Sequence, residues 1–192
     1  MTTASNSNKA LAKYITQIVG IRPSARKYWD ESESTDIDLF TCVDPLNHSC
    51  NIYGTIGLSD TPLRINGKEQ KFRLELLAVG HSSYSFVPNL LATSSFYVMK
   101  DNWECNPGTV FESLVTIYHK GDMKHLMFTY PYLWEDKLNN LELPDKEVTW
   151  LLMIPISDQE LQYKSEYGYS ALEDRLEENN VDIFDFDRKS II

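Results

Sequence analysis

The 192-residue chain reads as one α+β domain, residues 1–192, with a mixed or mainly antiparallel sheet flanked by helices. Three observations predict this. Hydrophobic spacing passes from helical near the N-terminus to several strand-like runs, a helix, further strands and two final helices, so regular βαβ alternation is missing. Hydrophobic residues make up 42% of the chain and charged residues 24%, a balance that lets one domain bury a core. No internal repeat, low-complexity tract or interdomain linker divides it.

Each element has its own signal. Leu11, Tyr14, Ile15, Ile18 and Val19 recur at helical spacing, and Gly20 follows, so an amphipathic helix is expected from about Asn8 to Val19. Strands are expected over Arg26 to Glu31, over Ile37 to Val43 before the Asp44-Pro45 turn, and over Ile52 to Leu58. Asn66-Gly67 marks a hairpin, because a type I′ turn needs positive φ at both central residues. The next strand sets Phe72, Leu74 and Leu76 on one face and Lys71, Arg73 and Glu75 on the other, the pattern of a half-solvated strand. Leu90, Leu91, Phe96, Tyr97 and Met99 predict a helix from Pro88 to about Trp103, interrupted in composition by Thr93-Ser94-Ser95 and ended by Asn106-Pro107-Gly108. A strand from Lys124 to Tyr130 leads into an aromatic, charged loop, Tyr130 to Asp136.

The last forty-odd residues carry the most information. Glu147 to Ile156 is a nearly continuous apolar run, suited to a strand buried on both faces. Ser157-Asp158-Gln159-Glu160 is a capping box that starts a helix, and Gly168 is placed to stop it. Ser170-Ala171-Leu172-Glu173 repeats the capping-box pattern and predicts a second helix ending at Asn179-Asn180. From Ser157 onward there are ten acidic and four basic residues, minus six of the chain's formal charge of minus ten.

That charge disfavours direct nucleic-acid binding, which needs a basic footprint to neutralise phosphates, and it disfavours anionic membrane surfaces. A cationic protein partner is the electrostatic complement, although many acidic proteins are acidic only to stay soluble. The start, Met1 to Asn8, lacks the basic and apolar segments of a secretory signal, and no apolar run approaches a bilayer's width, so a cytoplasmic location is expected. Three cysteines, Cys42, Cys50 and Cys105, are too few and odd in number for a disulfide framework.

Catalytic signatures are sparse. GxSxG, Walker-type, GxGxxG and HExxH patterns are absent. Cys42, His48 and Cys50 have ligand types that suit zinc but lack a fourth ligand at short spacing. His119 and His125 flank Gly121-Asp122, where a facing pair across a turn could bind metal or act as a base; ordinary surface histidines explain them as well. His81-Ser82-Ser83 is no dyad, since neighbours in an extended chain point to opposite faces. Glu173, Asp174, Glu177 and Glu178 pair at i,i+4 on one helical face, a like-charge arrangement that costs stability and makes either a solvated face or a docking surface. Arg188 and Lys189 are expected to pair with Asp185 or Asp187, and Tyr130, Tyr132 and Trp134 are either binding anchors or core.

The strand–proline–capping-box unit, the ending Asp185-Phe-Asp-Arg-Lys-Ser190, and Tyr28-Trp29, Tyr53 to Ser59, Arg73 to Leu77 and Pro131 to Trp134 occur in an order that resembles suppressor-of-fused-like proteins across most of the chain. Length and both termini look like the family's Bacillus antitoxin members. The resemblance implies a binding module rather than an enzyme, with no catalytic, cofactor-binding or metal-binding residue to carry over. It implies an immunity protein that binds the C-terminal nuclease domain of a cognate LXG-type polymorphic toxin, one to one, with no cofactor. The expected contact surface is Glu173, Asp174, Glu177, Glu178 and Asp182, presenting carboxylates where phosphates would lie. The alternatives are a regulatory scaffold that sequesters another protein, and a hydrolase built around His81, His119 or His125.

Overall fold

The computed structural model describes residues 5–19, 22–134 and 137–192; Gly20, expected to stop the first helix, and Glu135-Asp136 of the aromatic loop lie outside them. The described residues form ten strands and four α-helices in the order α1 (Asn6–Val19), β1 (Ser24–Trp29), β2 (Asp36–Val43), β3 (Cys50–Ile56), β4 (Arg64–Ile65), β5 (Lys68–Glu69), β6 (Phe72–His81), α2 (Val87–Asp101), β7 (Val110–Phe111), β8 (Met123–Thr129), β9 (Leu141–Glu142), β10 (Glu147–Ser157), α3 (Asp158–Tyr167) and α4 (Tyr169–Glu178). The main sheet has the order β1-β2-β3-β6-β10-β8-β7, with β9 added to β10, while β4 and β5 form a separate hairpin. Among the described residues only β6 and β10 are parallel, and every other pairing is antiparallel. The expected α+β class with a mixed, mainly antiparallel sheet and flanking helices is what the chain adopts.

Helices cover both faces of the sheet. On one, α2 sets Val87, Leu90, Leu91 and Val98 against Leu39, Leu76 and Leu151. On the other, α1 and α4 set Leu11, Ile15, Leu172 and Leu176 against Phe40, Leu77 and Leu152. Each such side chain, fully buried, stabilises the fold by about 1.5–3 kcal/mol. Close approach of strands is also required: a Cβ on Gly54 would stand 2.3 Å from the Phe40 ring and 2.8 Å from a Leu77 methyl. Glycine is therefore the residue that lets β2, β3 and β6 share this layer.

Several boundaries move for local reasons. Helix α1 begins before Asn8 because the Ser5 hydroxyl accepts the Asn8 amide at 3.0 Å. Strand β1 stops at Trp29 because the Asp30 carboxylate folds the following turn, accepting the Ser34 and Thr35 amides at 2.8 and 3.0 Å and the ammonium of Lys100 from α2. Gly57, at φ +104°, turns β3 into a short 3-10 segment, Leu58–Asp60. The Asn66-Gly67 hairpin forms as expected, with φ of 52° and 71°. Helix α2 absorbs its serines: Ser94 and Ser95 hydroxyls donate to the Leu90 and Leu91 carbonyls at 2.9 Å each. It ends at Asn102, in the left-handed region at φ 53°, before Asn106-Pro107-Gly108 is reached.

Two expectations for the sheet and its flank are corrected. Strand β6 is not half-solvated: α1 and its neighbours cover the face opposite α2, and Glu75 is completely buried there. Its carboxylate accepts the Thr55 hydroxyl and the amides of Gly57 and Ser59 at 3.0 and 3.1 Å. Nor does Arg188 pair with Asp185 or Asp187. It is buried and donates two parallel bonds to Glu160, at 2.6 and 2.8 Å, and one to the Pro155 carbonyl at 2.9 Å. Glu160 meanwhile completes the expected capping box, accepting the Ser157 amide at 3.0 Å while its own amide donates to the Ser157 hydroxyl at 3.1 Å. One carboxylate thus ties the end of β10, the start of α3 and the C-terminus together. Lys189 pairs with Asp122 at 3.2 Å.

Arg188→Ala leaves the Glu160 charge buried and uncompensated, so urea denaturation is expected to show a loss of about 3–5 kcal/mol. For Glu75, burial pushes the carboxyl above its usual range, only partly offset by the hydrogen bonds it accepts. A raised folded-state value means that this group's contribution is full below the unfolded carboxylate value of about 4.3 and is lost as pH rises through the folded value. Glu75→Gln is accordingly expected to flatten the rise in stability toward acid pH. Parallel urea-midpoint curves for the two proteins across that range would contradict it.

Candidate functional site

Gly168, at φ +94°, both stops α3 and starts α4, its amide bonding to the Lys164 carbonyl at 2.9 Å. The second helix thus begins at Tyr169, and the expected capping box at Ser170 to Glu173 does not form, since Ser170 already lies inside it. Glu173 turns toward the sheet instead: its carboxylate accepts the Thr129 and Tyr169 hydroxyls, each at 2.5 Å. Burial, then the bond to Glu173, raises the Tyr169 hydroxyl pKa and keeps it a donor.

Leu172 and Leu176 pack down, and the carboxylates one position on in sequence face a groove of about 460 Å³. Glu173, Asp174 and Glu177 line it over the buried Ile154, Leu176 and Ile183, and Tyr132 lines it as well. Partial burial, and then the nearby charges of Glu173, Glu177 and Asp182, push the Tyr132 hydroxyl up to about 12. The two other sequence candidates sit differently. Glu178 is not part of the lining and lies 3.6 Å from Arg175. Asp182 is bound at 3.0 Å to His81. The aromatic loop flanks the groove: Tyr132 and Leu133 are 43% and 41% exposed, enough to be contacted from outside.

The chain after α4 is strapped down by its own acids. Asp182 meets His81, Asp187 meets His119 at 2.9 Å, and the Tyr84 hydroxyl donates to Asp185 and Asp187. Phe186 inserts between them, edge-on to Tyr84 and Phe86, while His119 stacks on Phe86 with ring centroids 5.0 Å apart. Burial opposes ionisation of Asp185, but the Tyr84 hydroxyl and the Asp187 amide hold its carboxyl below the usual range. These histidine–carboxylate pairs join residues about seventy to a hundred positions apart, and no local spacing signals them. Tyr169 was legible in principle, lying four residues before Glu173 on one helical row.

His119 and His125 do not face each other across a hairpin. A 3-10 segment, Leu114–Ile117, precedes the turn, and β8 pairs with β7 and β10. His125 is buried, its Nδ1 accepting the Ser113 amide at 2.9 Å, which leaves Nε2 to donate to Asp158 at 2.9 Å. The three cysteines are free and buried. Among the described residues no three His, Cys, Asp or Glu side chains gather as a metal site, and no helix is long and apolar enough to cross a membrane.

The family model for suppressor of fused protein matches residues 33–189. The chain belongs to the suppressor-of-fused family. Within it, the chain is similar to immunity protein YqcF of Bacillus subtilis (strain 168), 36% identical over 186 residues that cover 96% of this chain and 97% of the relative. A putative suppressor-of-fused homologue from Neisseria gonorrhoeae has the same fold, with a TM-score of 0.75 at 13% identity over 97% of each chain. Drosophila suppressor of fused superposes with a TM-score of 0.66 at 14% identity, over 93% of this chain and 49% of that longer one.

Tyr169→Phe removes a charge-assisted hydrogen bond from Glu173. Thermal unfolding is expected to report a loss of about 1.5–3 kcal/mol; an unchanged midpoint would mean that the Thr129 hydroxyl alone suffices.

Proposed function

We propose that this protein is an immunity protein that binds the nuclease domain of a cognate LXG-type polymorphic toxin stoichiometrically and blocks it without catalysis. The observation that carries the reading is the 36% identity to immunity protein YqcF along nearly the whole of both chains. The groove beside α4 supports a mechanism. A nuclease cleft is cationic because it holds phosphates, and Glu173, Asp174 and Glu177 supply anionic oxygens along one wall. Thr129 and Tyr169 orient Glu173 beforehand, so less side-chain freedom is lost on binding. Asp182 and Glu178 extend the negative field at either side, which speeds encounter at low salt more than it tightens the final complex. The same field repels nucleic acid itself.

Coexpression with candidate toxin nuclease domains tests the role: growth is restored against one cognate domain and not against the others. Asp174→Lys with Glu177→Lys is expected to weaken binding to that domain about a hundredfold or more and to reduce the salt dependence of association, read by surface plasmon resonance. Rescue by the unaltered protein with no effect of the double variant would place the contact elsewhere, whereas failure to neutralise any nuclease would overturn the function.

A further inference from the structure

Leu46 stands at the tip of the turn between β2 and β3 and is 93% exposed, whereas no other large apolar side chain among the described residues passes 63%. Single exposed leucines are common on protein surfaces, and most need no explanation. This one is held out by its own backbone. The ring of Pro45 fixes φ one residue before it, and the Asp44 carboxylate accepts the Leu46 amide at 2.8 Å. The Asp44 amide donates to the Cys50 carbonyl and the Cys50 amide to the Asn47 carbonyl, each at 2.9 Å. The Asn47 side chain accepts the Ser49 amide at 3.1 Å and the Ser49 hydroxyl at 2.6 Å. The Ser49 carbonyl accepts the Ser82 amide at 2.7 Å, which ties the turn to the end of β6. Asp44, Pro45, Asn47 and Ser49 thus account for the turn, and the leucine side chain adds no packing to it.

A chain of contacts leads from this turn to the acidic groove. Cys50, the first residue of β3, is buried in the same cluster as Leu176 and Ile183 and faces His81 across the β3–β6 ladder. His81 in turn binds Asp182, which lies between the groove residues Val181 and Ile183. Burial raises the Cys50 thiol, the Ser49 hydroxyl opposes the shift, and the charges of Asp182 and Asp44 add to it, so carboxylates from both segments act on one sulfur. We infer that Leu46 is an apolar anchor of the docking surface, and that it enters a pocket at the rim of the partner's cationic cleft while the nearby carboxylates meet the cations. The inference deepens the immunity reading and rests on it for the partner, a nuclease domain whose phosphate-holding cleft carries the positive charge. Charge complementarity selects that occupant, since Asp182 and Asp44 extend the negative charge from the groove toward the turn. Rigidity makes the leucine effective: a side chain presented on a fixed backbone gives up little freedom when it is buried.

The test is the binding kinetics of the full chain with the nuclease domain that it neutralises in coexpression, read by surface plasmon resonance. Leu46→Ser is expected to weaken the complex about tenfold to a hundredfold, the effect of returning one leucine to water, with the change in the dissociation rate. The association rate and its salt dependence should stay as they are, because no charge is altered. Leu46→Met, which keeps the volume and the apolar character, should retain most of the affinity. Both variants should unfold at the parent's thermal midpoint, which separates a loss of contact from a loss of fold. A Leu46→Ser complex that dissociates at the parent rate would overturn the anchor while leaving the immunity reading intact. Failure of the unaltered chain to neutralise any nuclease domain would overturn the immunity reading and, with it, the partner assigned to Leu46.

Discussion

The rest of the molecule depends on covering its sheet on both faces. With α2 on one side and α1 and α4 on the other, the central stretches of β6 and β10 are buried, and a polar side chain at their level needs partners within the protein. Two different solutions appear. Glu75 is met by neutral donors, a hydroxyl and two amides, and burial favours its protonated form. Glu160 is met by the fork of Arg188, and that pair organises the end of β10, the start of α3 and the last residues of the chain. The first is a local closure between neighbouring strands. The second spans 28 residues and fixes where the C-terminal segment lies.

That placement shapes the acidic groove. Ile183, in the strapped segment, supplies part of the floor, and Asp182 adds to the field that acts on Tyr132. Carboxylates in this region therefore do two jobs. Asp182, Asp185 and Asp187 hold the segment through His81, Tyr84 and His119, while Asp174 and Glu177 face open space on the groove wall. Glu173 belongs to both groups, anchored to Thr129 and Tyr169 yet lining the cavity. The charge excess of the last 36 residues is thus only partly available to a partner.

Much of this was legible from sequence because its causes are local. Apolar spacing located α1, α2 and β10; Asn66-Gly67 located the hairpin; Ser157 to Glu160 located the start of α3. The grouping of Glu173, Asp174 and Glu177 followed from helical geometry alone. What escaped depends on contacts between distant segments. Alternation in β6 cannot reveal that α1 will cover Glu75, and the nearest acids to Arg188 in sequence lost it to Glu160, 28 positions away. The groove is likewise a product of packing: its lining draws on β8, β10, α4 and the segments that follow β8 and α4, and no single stretch of sequence encodes it.

The one parallel pairing has a consequence for synthesis. Strand β6 acquires β3 as a neighbour early, but its other edge waits for β10, which begins 66 residues after β6 ends. At ordinary elongation rates of about 5–20 residues per second, that edge stays uncovered on the ribosome for several seconds, backed by Leu74, Leu76 and Leu77. Until β10 emerges, that apolar border remains open to mispairing, the hazard that an unpaired strand edge carries.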